Sequence, residues 1–303
     1  LLAAGRRVIA PCLAPGEGEE AEYVLLRKGG AGATGLGKGL PRQSPKAAYL
    51  PRSEPILTLS AQDREWVLED PAPGAGPTVV FGARPCDAAA PEVLAPLFGW
   101  DYHDPFFENR IRNLSFVVLG CSAPVDKACF CSSVGVDPAG EGLGDVLVTE
   151  LKDGTFLAEA RTEAGAELLK ALPEAERRAG PADLGAAQAV REAARQAVPA
   201  RVDMRKVRAA LEKRFNDPLW ERAARSCLGC GTCAFTCPTC HCFDIQEELC
   251  GCRGVRQKNW DACAFPLFTL HTSGHNPRPD QASRWRQRLN HKFRYYPEKF
   301  GRV

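Results

Sequence analysis

Cys227-Leu-Gly-Cys230-Gly-Thr-Cys233-Ala-Phe-Thr-Cys237-Pro238 repeats cysteine at the spacing Cys-x2-Cys-x2-Cys-x3-Cys-Pro. Thiols spaced this closely converge on one inorganic cluster because the turns between them are tight, and Gly229 and Gly231 tolerate the backbone angles such turns require. The run therefore predicts a ferredoxin-type 4Fe-4S site at Cys227, Cys230 and Cys233. In two-cluster ferredoxins the fourth cysteine of such a run serves the other cluster, and a proline then turns the chain away. That role falls to Cys237. A structural zinc knot is the alternative, but zinc sites usually pair two Cys-x2-Cys hooks across a spacer of a dozen or more residues.

Working outward, 303 residues with 45% hydrophobic content suffice for more than one core, and no stretch is apolar enough to span a membrane. The 14 cysteines fall in Cys-x-Cys and Cys-x2-Cys hooks rather than in the pattern of a small disulfide scaffold. Metal binding in a reducing cytoplasm is the expectation. A formal net charge of +2 gives no reason to expect a nucleic-acid partner. The chain opens on Leu1 and stops at Val303 in mid-flow, so both ends read as clipped.

Upstream, Glu22 to Lys28 reads as a strand followed by a glycine-rich loop from Gly29 to Gly39, and Pro41, Pro45, Pro51 and Pro55 read as extended chain. Thr78 to Phe81 is a short buried strand leading to Cys86 and Asp87, the latter placed to cap an alanine-rich helix. Leu114 to Leu119 repeats the pattern, ending at Gly120-Cys121. Val146–Val148 and Phe156–Leu157 read as a hairpin around Asp153-Gly154. Helical patterns follow at 164–172, 182–198, 204–215 and 218–226. The expected organisation is an α+β or α/β domain over 1–163, a helical arm over 164–226, and an α-helical ferredoxin-type iron–sulfur domain over 227–303.

Cys86 and Cys121 sit just past the carboxyl ends of predicted strands, the edge of an open sheet where ligands collect. With Cys129 and Cys131 on the following turn they make a second candidate 4Fe-4S site. Buried core packing of Cys86 and Cys121, or a zinc ion held by all four thiols, remain open readings.

These pieces form an ordered series: Phe81-Gly-Ala-Arg-Pro-Cys86-Asp87, Gly120-Cys121, Cys129-Phe-Cys131-Ser-Ser, Cys237-Pro-Thr-Cys240-His-Cys242-Phe-Asp244, Trp260-Asp-Ala-Cys263 and Gly274-His-Asn-Pro-Arg-Pro279. The series resembles the two-cluster iron–sulfur subunits found in anaerobic sulfite reductase and, as the beta subunit, in soluble nickel–iron sulfhydrogenase. The resemblance implies a cytoplasmic electron-transfer subunit of anaerobic metabolism. It would stand between a flavin-containing, NAD(P)H-linked partner and a catalytic subunit of sulfite reductase or nickel–iron hydrogenase type. Such a chain makes and breaks no substrate bonds itself. Family members carry a second Cys-x2-Cys-x2-Cys motif beyond the segment from His291 to Gly301, where this chain ends. Cys240, Cys242 and Cys263 lie in matching motifs without forming a set of four on their own. Cys250 and Cys252 match no family motif and read as loop cysteines, and His241 reads either as a hydrogen-bond donor to sulfur or as a metal ligand.

Two rival functions remain: a redox enzyme whose first-domain cluster keeps an open iron for substrate, and a zinc-stabilised binding module. Weaker signals add little. Gly30-Ala-Gly-Ala-Thr-Gly35 matches a dinucleotide fingerprint but is followed by prolines where a helix is needed. The basic, aromatic-rich segment from Arg284 to Arg302 favours cluster shielding or partner docking over RNA. Arg110 and Arg112 are expected either to shield the first-domain site or to form ordinary surface ion pairs. His103 and Asp104 read as a turn cap.

Overall fold

The computed structural model describes residues 1–2, 5–13, 21–27, 39–62, 65–71, 76–171 and 178–303. The glycine-rich fingerprint of residues 30–35 and nearly all of the expected loop at 29–39 lie outside them. In chain order the first half comprises β1 (Arg7–Leu13), β2 (Ala21–Leu26), a 3-10 turn (Pro45–Ala48), β3 (Ser53–Gln62), β4 (Glu65–Glu69) and β5 (Thr78–Ala83). There follow α1 (Pro85–Ala88), α2 (Ala90–Phe98), α3 (Pro105–Arg112), β6 (Leu114–Leu119), β7 (Val146–Glu150) and β8 (Phe156–Ala160).

Six strands form one sheet in the order β2-β1-β5-β6-β7-β8, parallel from β1 through β7 with an antiparallel strand at each edge. Its central strands are buried on both faces, which is why Thr78-Val-Val-Phe81 and Ser115-Phe-Val-Val-Leu119 read as unbroken apolar runs. Val80, Val118 and Leu147 point into a core with Leu94, Phe98 and Phe107 of α2 and α3. Their neighbours Val79, Val117 and Val146 face the other way onto Leu168. The strands at 78–81 and 114–119 and the 146–157 hairpin match expectation.

Leu168 belongs to α4 (Glu163–Leu169), after which come α5 (Pro181–Ala197), α6 (Met204–Lys213) and α7 (Leu219–Ala224). Helices thus fill the stretch expected to be helical, and α5 lies against the sheet: the buried Arg191 guanidinium donates to Thr149 Oγ1 at 3.1 and 2.9 Å and pairs with Glu159. The cysteine-rich end comprises α8 (Thr232–Phe235), β9 (Phe243–Cys250), β10 (Arg253–Trp260), α9 (Gln281–Asn290), a π-helical turn (His291–Tyr295) and α10 (Tyr296–Phe300).

Three expectations are corrected. The segment from Pro51 onward is not merely extended: β3 runs straight through Pro55 and pairs on both sides. The cysteine-rich end is not purely helical, because β9 and β10 form an antiparallel hairpin that joins β3 and β4 in a second sheet, ordered β4-β3-β10-β9. That sheet takes two strands from residues expected in the first domain and two from those expected in the last. Asp87 does not cap a helix. It lies buried inside α1, which starts at Pro85, and it accepts a 3.4 Å hydrogen bond from the Tyr23 hydroxyl.

An ion-pair network ties the second sheet to α3. Glu54 of β3, 3% exposed, accepts from Arg110 of α3 at 2.6 Å and from Lys258 of β10 at 3.1 Å. Lys258 also reaches Asp104, at 3.1 Å. Arg110 is therefore a largely buried structural cation rather than an ordinary surface pair. Asp104, expected to cap a turn, caps the helix α3 by accepting from the Phe106 and Phe107 amides at 3.0 Å.

Candidate iron–sulfur centres

The parallel pairing of β5 with β6 sets their carboxyl ends side by side, so the residues that follow, Cys86 and Cys121, emerge at the same edge. Gly120 is required there: a Cβ would stand 2.5 Å from the Ala139 carbonyl oxygen, because the 120–145 connection folds back onto the strand end. That connection is pinned by the Cys121 amide donating to Pro138 O and the Val136 amide donating to Cys131 O, each at 3.0 Å. Cys86 interacts electrostatically with Cys121 and Cys131, and Cys121 with Cys131 and Cys129. All four expected thiols of the first site are thus brought to one neighbourhood.

Cys86 faces a cavity rather than the core, which disposes of the packing alternative for it. Desolvation within that cavity pushes its thiol up, with the charges of Asp87, Cys121 and Cys131 adding to the effect. Desolvation also raises Cys121, against the opposing pull of a hydrogen bond from Arg84. Arg84, buried beside these thiols, is the cation that sequence reasoning missed in favour of Arg110 and Arg112. Its signal was its place in Ala83-Arg-Pro-Cys86, two residues before a candidate ligand.

The 227–238 run leaves α7 and bends through Gly229 and Gly231, at φ of 69° and 73°, as the spacing requires. Gly231 admits no side chain, since a Cβ would lie 2.6 Å from the Phe265 ring. Cys233 interacts with Cys227, Cys230 and Cys263. Gln281 Nε2 donates to Cys227 Sγ at 3.1 Å, and Cys230 Sγ lies 3.2 Å from Thr232 Oγ1. Polar hydrogens directed at sulfur favour the thiolate form and tune any metal it holds.

Cys237 and Cys240 share a thiol hydrogen bond, as do Cys242 and Cys263. The Cys240 bond, with Lys292 Nζ at 2.8 Å, holds the Cys237 thiol well below its usual range. The Cys242 bond, with Arg288 nearby, brings Cys263 down to about 6. Arg288 spans the two cysteine sets, donating to Cys233 O at 2.6 Å and approaching Cys240 Sγ at 3.5 Å. Cluster shielding thus fits Arg288 and Lys292 of the basic segment. Arg294 instead pairs with Glu212 and Glu298, and Lys299 sits 3.9 Å from the Trp100 ring centre.

Lys46, which carries no signal in the sequence, is 2% exposed, and its Nζ donates to Ala234 O at 2.7 Å and Cys240 O at 3.0 Å. It also lies 4.2 Å from the Trp260 ring centre. With Tyr49 Oη donating to Pro238 O at 3.2 Å, it fastens the 45–49 turn beneath the cysteines. His241 Nδ1 faces Thr239 O at 3.0 Å, and burial beside His291 lowers its pKa to about 4, leaving a neutral ring. Cys250 and Cys252 flank the Gly251 turn of the β9–β10 hairpin, exposed and away from these sets, as loop cysteines should be. One cavity is lined by both Cys86 and Cys237, so one thiol of the first-domain set and one of the 227–263 set look onto the same space.

Among the described residues no three His, Cys, Asp or Glu side chains converge as a single metal ion requires. A multi-iron cube, with an iron at each of four corners, takes its thiolates at wider separations than a single ion does. The donors suit such a group: soft thiols, amide and hydroxyl hydrogens directed at sulfur, and cations to offset its charge. No helix among the described residues is long and apolar enough to cross a membrane.

Residues 226–303 match the 4Fe-4S dicluster domain family. The chain is 30% identical over 226 residues to sulfhydrogenase 2 subunit beta of Pyrococcus furiosus, an alignment covering 74% of this chain and 66% of that protein, just under two thirds of its length. No solved structure matches. Residues 226–303 are thus similar to a 4Fe-4S dicluster domain, and the chain resembles the beta subunit of sulfhydrogenase.

Proposed function

We propose that this chain is an electron-transfer subunit of a multi-subunit oxidoreductase, relaying electrons between a flavin-containing, NAD(P)H-linked partner and a catalytic subunit of hydrogenase or sulfite reductase type. One observation carries the reading: two cysteine sets, from opposite ends of the chain, look onto one cavity through Cys86 and Cys237. In this reading Cys227, Cys230 and Cys233 hold one 4Fe-4S cluster, Cys237 serves a second, and Cys86, Cys121, Cys129 and Cys131 hold one in the first domain. When bound, such clusters supply one-electron redox chemistry at a potential set by charge, hydrogen bonding and solvent exposure. Arg84, Arg288 and Lys292 hold positive charge against the thiols and favour the reduced, more negative state. Gln281 and Thr232 orient Cys227 and Cys230. The name of the Pyrococcus relative supports a hydrogenase-type complex.

Anaerobic purification with iron, acid-labile sulfide and electron paramagnetic resonance (EPR) measurements tests this reading. A brown protein with reducible clusters is expected, and a colourless zinc protein without sulfide would refute it. Replacing Cys86, Cys121, Cys129 and Cys131 singly with serine should in each case remove the whole first-domain cluster. Retention in one of the four variants would instead favour a cluster with an open iron.

A further inference from the structure

Strand alternation gives the second sheet one apolar face and one polar face. Antiparallel pairing sets Leu68 of β4, Leu59 of β3, Gly254 of β10 and Leu249 of β9 side by side, so all four strands contribute to one row. Gly254 lets the row close. A Cβ there would collide with Leu249 Cδ2 and stand 3.4 Å from Leu59 Cδ1, because the two leucines lie over the glycine from either side. Trp66, Leu57 and Ile245, an even number of residues away along their own strands, extend the same face. The alternate residues, among them Thr58, Glu65, Glu69, Gln246 and Glu248, point to the other face.

Such alternation belongs to a sheet with one face covered. The inner end of the apolar face is covered: Lys258, on the same side as Gly254, meets Glu54 and Asp104 against α3. Its outer end is open, with Trp66, Leu68, Ile245 and Leu249 each between 51% and 66% exposed. Scattered apolar side chains at a surface are ordinary, but a contiguous patch that continues a buried face marks an interaction surface.

The border of the patch selects its occupant. The edge strands β4 and β9 carry Glu65, Glu69, Asp244, Glu247 and Glu248 and no Lys or Arg. Arg256, on the inner strand β10, is neutralised by Glu247, to which its Nε donates at 2.8 Å. Acidic edges repel phosphate, which removes nucleic acid and anionic membranes as occupants. A second copy docked face to face would set carboxylates against carboxylates in either orientation, since both edges are acidic. The complement is a different polypeptide, apolar at its centre and basic around it.

We infer that this face of the second sheet docks a partner subunit of the complex, and that the partner brings an apolar patch bordered by Lys and Arg. The inference rests on the multi-subunit reading above and adds to it a surface and its chemistry.

The test purifies the complex anaerobically from the cells that make it, through a tag on this chain, and compares it with the isolated 303-residue chain. Hydroxyl-radical oxidation of Trp66, Leu68 and Leu249 should fall about fivefold in the complex, as half-exposed side chains enter an interface core. Carbodiimide, which joins a carboxylate to a nearby amine, should link Glu65, Glu69 or Glu248 to lysines of another polypeptide. Trp66→Glu with Leu249→Glu should lower partner affinity at least about tenfold with iron per chain unchanged. The footprint uses unaltered protein, so it decides the matter even where that variant fails to fold. Unchanged oxidation of the three side chains within an intact complex would overturn this inference alone and leave the relay standing. Links only between copies of this chain, with a dimer on sedimentation, would overturn it in favour of self-association. A chain recovered without any other subunit would overturn both readings.

Discussion

Replacing Glu54 with alanine should unfasten the second sheet from α3. Glu54 is 3% exposed and is the carboxylate shared by Arg110, 13% exposed, and Lys258, 9% exposed, at 2.6 and 3.1 Å. Removing it takes the shared carboxylate from two cations in a site nearly free of water, although Lys258 keeps Asp104. Removing one partner of a buried pair typically costs about 3–5 kcal/mol, because the remaining charge loses its compensation without regaining water. For a chain of 303 residues, an unfolding entropy of about 2 cal/mol/K per residue gives roughly 0.6 kcal/mol/K, so Tm should fall by about 5–8 °C. The assay is thermal unfolding followed by circular dichroism under anaerobic conditions, with equal cluster loading checked by iron content. A companion variant, Glu54→Leu with Arg110→Met and Lys258→Met, should recover much of the loss, because an apolar set of similar volume removes the stranded charges. A loss below about 1 kcal/mol in Glu54→Ala, the range of exposed pairs, would refute the argument by showing that water screens the network.

Two further outcomes are expected. Gly231→Ala forces an ordinary residue to φ 73° and drives its Cβ to within 2.6 Å of Phe265; beyond about 1–2 kcal/mol of backbone strain, it should displace the Cys230 and Cys233 thiols, and an undiminished iron content per chain would count against this. Burial opposes ionisation of Asp137, but hydrogen bonds from Arg195 and from the Ala139 and Glu141 amides outweigh it and hold the carboxyl below 3.8. The folded value being the lower one, the carboxylate's stabilisation is complete above the unfolded value and drains away as pH falls through the folded one. Tm should therefore drop on acidification through that window, and Asp137→Asn should flatten the drop; an unchanged slope would mean that other groups carry it.

Strands buried on both faces were legible because their apolar runs have one interpretation: β5, β6 and the β7–β8 hairpin stand where the pattern puts them. Strands held by pairing more than by burial were less so, although β2 stands close to the strand expected at Glu22 to Lys28. β1 contains Pro11 and β3 contains Pro55, residues that read as strand breakers, while β9 is exposed along its whole length and offers the ladder little apolar burial. The alternation of Phe243 with Ile245 and the Cys250-Gly-Cys252 turn were the available hints of that hairpin. The cations divided the same way. Arg288 and Lys292 stood out within a basic segment, but Lys46 and Arg84 were solitary, and nothing in their neighbours announced that folding would bury them beside sulfur.

What the sequence determined by itself was the ferredoxin-type run and its chemistry, because ligand spacing and the glycines that permit it are local properties of a dozen residues. Convergence of Cys86 with Cys121, and of Cys242 with Cys263, was decided only by tertiary structure. Those meetings depend on which strands pair and in what register, and pairing is settled by cooperative burial and hydrogen bonding across the whole chain. Charge compensation was decided there too, since a lysine such as Lys46 becomes a counter-ion only once a distant carbonyl and a distant thiol have folded against it.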